Sequence, residues 1–217
     1  MIDYPSAFRW FARPPQERDK AAVPEIPQLL QKTWAQVREE LGPAQFDPVL
    51  GEIRTGRFGL GDGTAWAQTN DEKDSGYVNL TLELEASELS LNLIGWYDPQ
   101  LEKVEGWLRK PKAWRFLRER PDWQILFFVR RARGGSVFQG APGTEVERLS
   151  FTEASPVEVT TRLSTLRFKL DPKTEKLSLH LRRKWEPTEV GTIAEISKPI
   201  AEEVGRWLEP INDVRLS

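Results

Sequence analysis

A chain of 217 residues with a net charge of −2, 39% hydrophobic and 29% charged, is long enough to bury about 70% of its unfolded surface without a disulfide or a metal. That balance excludes a membrane-embedded protein and a fully disordered one. The absence of cysteine excludes thiol nucleophiles, disulfides, iron–sulfur clusters and cysteine zinc sites.

The one histidine is His180. Zinc is therefore not expected, because its sites draw on several Cys and His ligands. A Ser-His-Asp triad would have to use His180, and no G-x-S-x-G turn is present to supply the serine. Magnesium held by carboxylates stays open as chemistry, since there are 33 acidic residues. The longest wholly aliphatic or aromatic run, Ile125 to Val129, falls far short of the roughly 20 residues of a membrane span. The start, Met1-Ile2-Asp3-Tyr4-Pro5, shows no basic region followed by an apolar core, so the expectation is a cytoplasmic protein.

Residues 1–25 read as an irregular arm, because Pro5, Pro14, Pro15, Pro24 and Pro27 argue against a continuous helix. Its Tyr4, Phe8, Trp10 and Phe11 imply packing against the body. Ile26, Leu30, Trp34, Val37 and Leu41 then form one stripe of a helix over 26–41, stopped by Gly42-Pro43. From residue 52 the period becomes two. Strands are expected over 52–58 and 64–69, joined by the glycine-rich turn Gly59-Leu60-Gly61-Asp62-Gly63. That stretch matches no phosphate-loop or dinucleotide pattern. Asn70–Gly76 reads as a polar loop, and it fails as a calcium loop because Ser75 and Thr81 stand where glycine and glutamate are required.

Val78, Leu80, Leu82 and Leu84, then Leu89, Leu91 and Leu93, alternate with polar residues, which predicts a hairpin over 77–96 with one buried and one polar face. Asp98-Pro99 opens a helix to about 109, and a second short helix covers 112–119. Trp123–Arg131 reads as a buried strand, 133–143 as a loop, and 146–151 and 157–163 as further strands. Leu166, Phe168 and Leu170, and beyond a turn Leu177, Leu179 and Leu181, predict a second hairpin over 164–185 with His180 on its exposed polar face. Ile193, Ile196, Ile200, Val204, Trp207 and Ile211 mark a C-terminal helix, kinked or divided near Pro199. Helices do not alternate one by one with strands. The fold class is thus α+β: one domain over 1–217, an antiparallel sheet built from hairpins, with N-terminal and C-terminal amphipathic helices packed on one face.

Charge is segregated. Residues 109–133 carry nine Lys or Arg against two acids, and 160–185 carry eight against two. Residues 70–105 carry nine acids against two Lys, and 186–213 seven acids against two cations. Either these faces neutralise one another within the fold, or the cations face an anionic partner. The sharpest cluster interleaves Trp107, Arg109, Lys110, Lys112, Trp114, Arg115, Phe116, Arg118 and Arg120. Arg130, Arg131 and Arg133 follow, and Arg182, Arg183 and Lys184 stand beside Trp185. Arg109, Lys110, Lys112, Arg115, Arg130, Arg131, Arg133, Arg182, Arg183 and Lys184 are the candidate partner-binding residues. Arginine with aromatics suits protein interfaces as well as phosphate contact and base stacking. A pI near 5.7 argues against nucleic acid. The expected function is a non-catalytic adaptor or assembly protein with another protein as partner and no cofactor. A nucleic-acid-binding protein is the alternative, and a magnesium-dependent hydrolase the third reading.

Overall fold

The computed structural model describes residues 2–69, 79–95, 98–131, 144–152, 154–171 and 173–215. The loops expected at 70–76 and 133–143 lie outside the described residues. The strands form a seven-stranded antiparallel sheet, in which one run of neighbours is β1-β2-β3-β4 and another β7-β5-β6. These are β1 (Ile53–Thr55), β2 (Ala65–Thr69), β3 (Asn79–Leu84), β4 (Leu89–Gly95), β5 (Trp123–Arg131), β6 (Thr144–Ser150) and β7 (Glu175–Trp185). The helices are α1 (Tyr4–Ala12), α2 (Glu25–Leu41), α3 (Pro43–Leu50), α4 (Asp98–Leu108), α5 (Pro111–Arg118), α6 (Pro156–Lys169) and α7 (Ile193–Arg215). The α+β class with its N-terminal and C-terminal helices is as the sequence predicts. The chain divides into two compact units, one of Met1–Glu72, Asn79–Asn92 and Lys184–Asn212, the other of Lys73–Val78, Leu93–Arg183 and Asp213–Ser217.

In the first unit the N-terminal arm holds a helix, α1, over residues 4–12, and no continuous helix runs through it. Asp3 caps α1 by accepting from the Ser6 backbone N–H at 2.8 Å. Pro5 sits in the first turn, where its missing N–H costs no helical hydrogen bond. Only Pro14 and Pro15, beyond the last turn, act as stops. The packing expectation holds: Tyr4, Phe8, Trp10 and Phe11 are buried. Thr33 Oγ1 donates to the Leu29 carbonyl at 3.0 Å, so the Tyr4 hydroxyl is the donor in its 2.7 Å bond to Thr33. Burial pushes the Tyr4 hydroxyl well above the usual phenol range.

Helix α2 ends as expected at Gly42, whose φ of 83° favours glycine. Pro43 then opens α3, a helix the sequence reading missed. Trp34 ties α2 to the sheet by donating from Nε1 to the Ala67 carbonyl at 2.9 Å. The glycine-rich stretch joins antiparallel neighbours β1 and β2, as a hairpin connection should. Arg18 fixes it by donating to the carbonyls of Leu60 (2.8 Å) and Asp62 (2.7 Å) while stacking on Trp10. At Gly56 a Cβ would fall 2.2 Å from the Trp66 ring, so a side chain there has no room. In α7 the stripe Ile196, Ile200, Val204, Trp207 and Ile211 is buried, and the helix runs through Pro199 undivided.

The first hairpin forms at its predicted place, but its polar side is not solvated. Asn79, Thr81, Ser90 and Asn92 are buried, and Asn92 Nδ2 donates to Glu83 (3.1 Å) and Ser90 (3.0 Å). Alternation in sequence distinguishes the two faces without showing that the polar one meets water.

In the second unit β5 buries Trp123, Ile125, Phe127 and Val129 on one face, while on the other only Leu126 is buried between half-buried Gln124 and Phe128. Residues 157–163 and 166–170 are not strands. Residues 156–169 form α6, with Leu170 its cap, because Ser155-Pro156-Val157-Glu158 supplies a serine cap, a first-turn proline and a third-position glutamate. Ser155 Oγ accepts from the Glu158 N–H at 3.1 Å. The second hairpin is therefore lost, while Leu177, Leu179 and Leu181 remain buried on β7, paired with β5. His180 is only 4% exposed, its ring centroid 4.4 Å from that of Phe128. The exposed surface histidine of the sequence reading is thus a core side chain on β7.

Ser155→Ala should cost about 1 kcal/mol of stability in urea unfolding, the usual worth of a helix cap. An unchanged midpoint would contradict a capped helix at this position.

Candidate basic cleft

Helix α5 is short, and its orientation is set by what it buries. Ala113, Trp114 and Leu117 face inward. Trp114 donates from Nε1 to the Leu108 carbonyl, and its ring meets Phe151 edge-on with centroids 6.3 Å apart. Phe116 packs edge-on against Trp107 at 6.2 Å, with the Arg120 guanidinium 3.6 Å from its ring centroid. The remaining positions Lys112, Arg115 and Arg118 are exposed. They recur every third residue and so share one side of the helix.

This side borders an open cleft of about 530 Å³. Arg109, Arg115 and Arg118 supply its cations, Pro111, Trp114 and Pro156 its apolar walls, and Glu119 its one acid. Glu119 lies 3.8 Å from Arg120, which takes up part of its charge.

Several candidate cations have partners within the fold. Glu105, 5% exposed, accepts from Arg109 at 2.6 Å and from Arg167 at 2.7 Å, joining α4 to α6. Lys112 pairs with Asp213 at 3.1 Å. Arg183 lies 3.9 Å from Asp122, and Lys184 lies 2.7 Å from Glu186 and 3.9 Å from Glu88. Lys110 and Arg182 also interact within the fold. The side chains of Arg130 and Arg131, and all of Arg133, lie outside the described residues. The side chains of Arg115 and Arg118 make no hydrogen bond or ion pair with any described residue. Their place in the last turn is favourable to the helix dipole, a small effect at an exposed site.

The structure thus brings Arg109 and Arg115 to one cleft and adds Arg118. The cleft lining does not include Arg182, Arg183 or Lys184. Arg118 stood in the basic cluster but not among the candidates singled out. Its three-residue spacing from Arg115 on a helix burying Trp114 and Leu117 was the available signal.

Two acids of β6 are engaged by arginines. Glu147 pairs with Arg162 at 3.1 Å, and Glu145 with Arg148 at 2.9 Å. Among the described residues, no group of three or more His, Cys, Asp or Glu could hold a metal ion. No described helix is long and apolar enough to cross a membrane. No protein-family model matches the chain, and no curated protein matches it significantly.

Glu105→Gln should lower stability by about 1–3 kcal/mol in denaturant unfolding, because a buried charge-assisted pair of bonds is weakened while the shape is kept. Wild-type stability in that variant would show that Arg109 and Arg167 do not depend on it.

Proposed function

We propose that the protein is a non-catalytic adaptor or assembly factor that binds an acidic segment of another protein at the α5 cleft. One observation carries this reading. Arg115 and Arg118 stand on adjacent turns of one exposed helix side, beside an apolar-walled cleft and with no partner among the described residues, whereas the neighbouring cations Arg109 and Lys112 are paired. Two guanidiniums set beside a tryptophan and two prolines suit carboxylates carried on a partly apolar chain. A cytoplasmic setting rests on the sequence alone.

At the cleft itself, magnitudes favour a protein partner over nucleic acid. Arg115 and Arg118 would neutralise about two phosphates, a salt slope near −1.4 for a single strand, or about a sevenfold loss between 50 and 200 mM salt. Nucleic-acid binders with about 6–10 phosphate contacts lose 10³–10⁵ over that range. The net charge of −2 adds a general repulsion.

Fluorescence anisotropy with a labelled oligoglutamate peptide and a 20-nucleotide single strand tests the reading. The peptide should bind with shallow salt dependence, and Arg115→Glu with Arg118→Glu should weaken it at least tenfold. Tighter binding of the oligonucleotide, with a steep salt slope, would move the function to nucleic-acid binding.

A further inference from the structure

The exposed large hydrophobic side chains among the described residues are Val146, Val157 and Phe168, at 45%, 73% and 92% exposure. All three fall between Thr144 and Lys169, on β6 and α6 of the second unit. Single exposed apolar residues are ordinary, so their arrangement decides whether they matter. Val157 and Phe168 are separated by eleven positions along α6, which returns the helix to within about 20° of the same side and about 16 Å further on. Thr161 and Ser164, both exposed, lie between them on that side. The row Val157-Thr161-Ser164-Phe168 carries no charge, on a chain in which 29% of residues are charged.

The opposite side of α6 is already engaged. Val159 and Leu163 are buried, Arg162 pairs with Glu147, and Arg167 pairs with Glu105. The row is therefore the side of α6 that its own unit leaves uncovered. The row begins next to the basic cleft in sequence, since Pro156 lines the cleft and Val157, about 100° further round the helix, follows it.

From this continuity we infer that the cleft and the outer side of α6 form one docking surface for an acidic, amphipathic segment of a partner protein. The inference rests on the reading of Arg115 and Arg118 as open to a partner. Charge complementarity assigns the occupant: carboxylates meet the two guanidiniums, and apolar side chains cover Val157 and Phe168. A helical partner segment of about eleven residues, or an extended one of about five, spans the row.

The test is a display library of random 16-residue peptides selected on the immobilised full chain, followed by affinities of the selected peptides. Wild type should enrich peptides that combine Asp or Glu with Leu, Phe or Trp. Arg115→Glu with Arg118→Glu should remove the acidic preference. Phe168→Asp should weaken the selected peptides at least tenfold without shifting the melting temperature, and Phe168→Ser should do the same more mildly. Acidic peptides that bind Phe168→Asp as well as wild type would overturn this inference and leave the cleft reading standing. Selection of peptides without acidic enrichment would overturn both. Sedimentation of the free protein should show a monomer; a dimer dispersed by Phe168→Asp would assign the row to a second copy of this chain and overturn the inference.

Discussion

The burial of Trp114 governs what this protein presents to its surroundings. An eight-residue helix has too few hydrogen bonds to hold itself in water, so α5 exists because Ala113, Trp114 and Leu117 dock inward. Once the indole has engaged the Leu108 carbonyl and the edge of Phe151, the helix has no freedom to rotate. Lys112, Arg115 and Arg118 are then carried outward by the 3.6-residue period. The basic surface is a geometric consequence of packing a tryptophan, and the arginines need not stabilise anything to be there.

Charge within the fold is balanced only in part. Glu105 serves Arg109 and Arg167, Asp213 serves Lys112, and Glu186 with Glu88 serves Lys184. These acids come from the acidic stretches at 70–105 and 186–213, so internal neutralisation accounts for much of the segregation seen in the sequence. Arg115 and Arg118 are what it leaves over on α5. Exposed pairs of this kind contribute little to stability, about 0–1 kcal/mol each, while breaking the Glu105 pairing costs more because it would leave a carboxylate out of water uncompensated.

Several features were legible because one residue type settles them. Gly42 ended α2, the unbroken apolar run of β5 announced a strand with a fully buried face, and the Ile-Val-Trp stripe drew α7. Errors arose where periodicity alone was read. Leu166 and Phe168 alternate with Arg167 and Lys169 as a strand would, yet Ser155-Pro156-Val157-Glu158 commits the segment to a helix. Once it is helical, Phe168 turns outward and becomes the most exposed large apolar side chain described. The prolines of the N-terminal arm divide it without barring α1, because Pro5 sits in a first turn. His180 looked exposed because its neighbours in sequence are polar, but Phe128 lies across the sheet from them and covers the ring. The cluster over 109–120 was visible as composition. Which of its cations were already engaged depended on acids distant in sequence, such as Asp213, and no local pattern reveals that.

The central claim is that Arg115 and Arg118 are held outward for a partner and do not hold the fold together. Urea unfolding of the free chain carrying Arg115→Glu and Arg118→Glu tests it most directly. The account predicts a free energy of unfolding within about 0.5 kcal/mol of wild type for each substitution, as for surface changes that touch no structural feature. A loss beyond about 2 kcal/mol for the pair would show that these arginines are part of the internal charge balance, and would contradict the account.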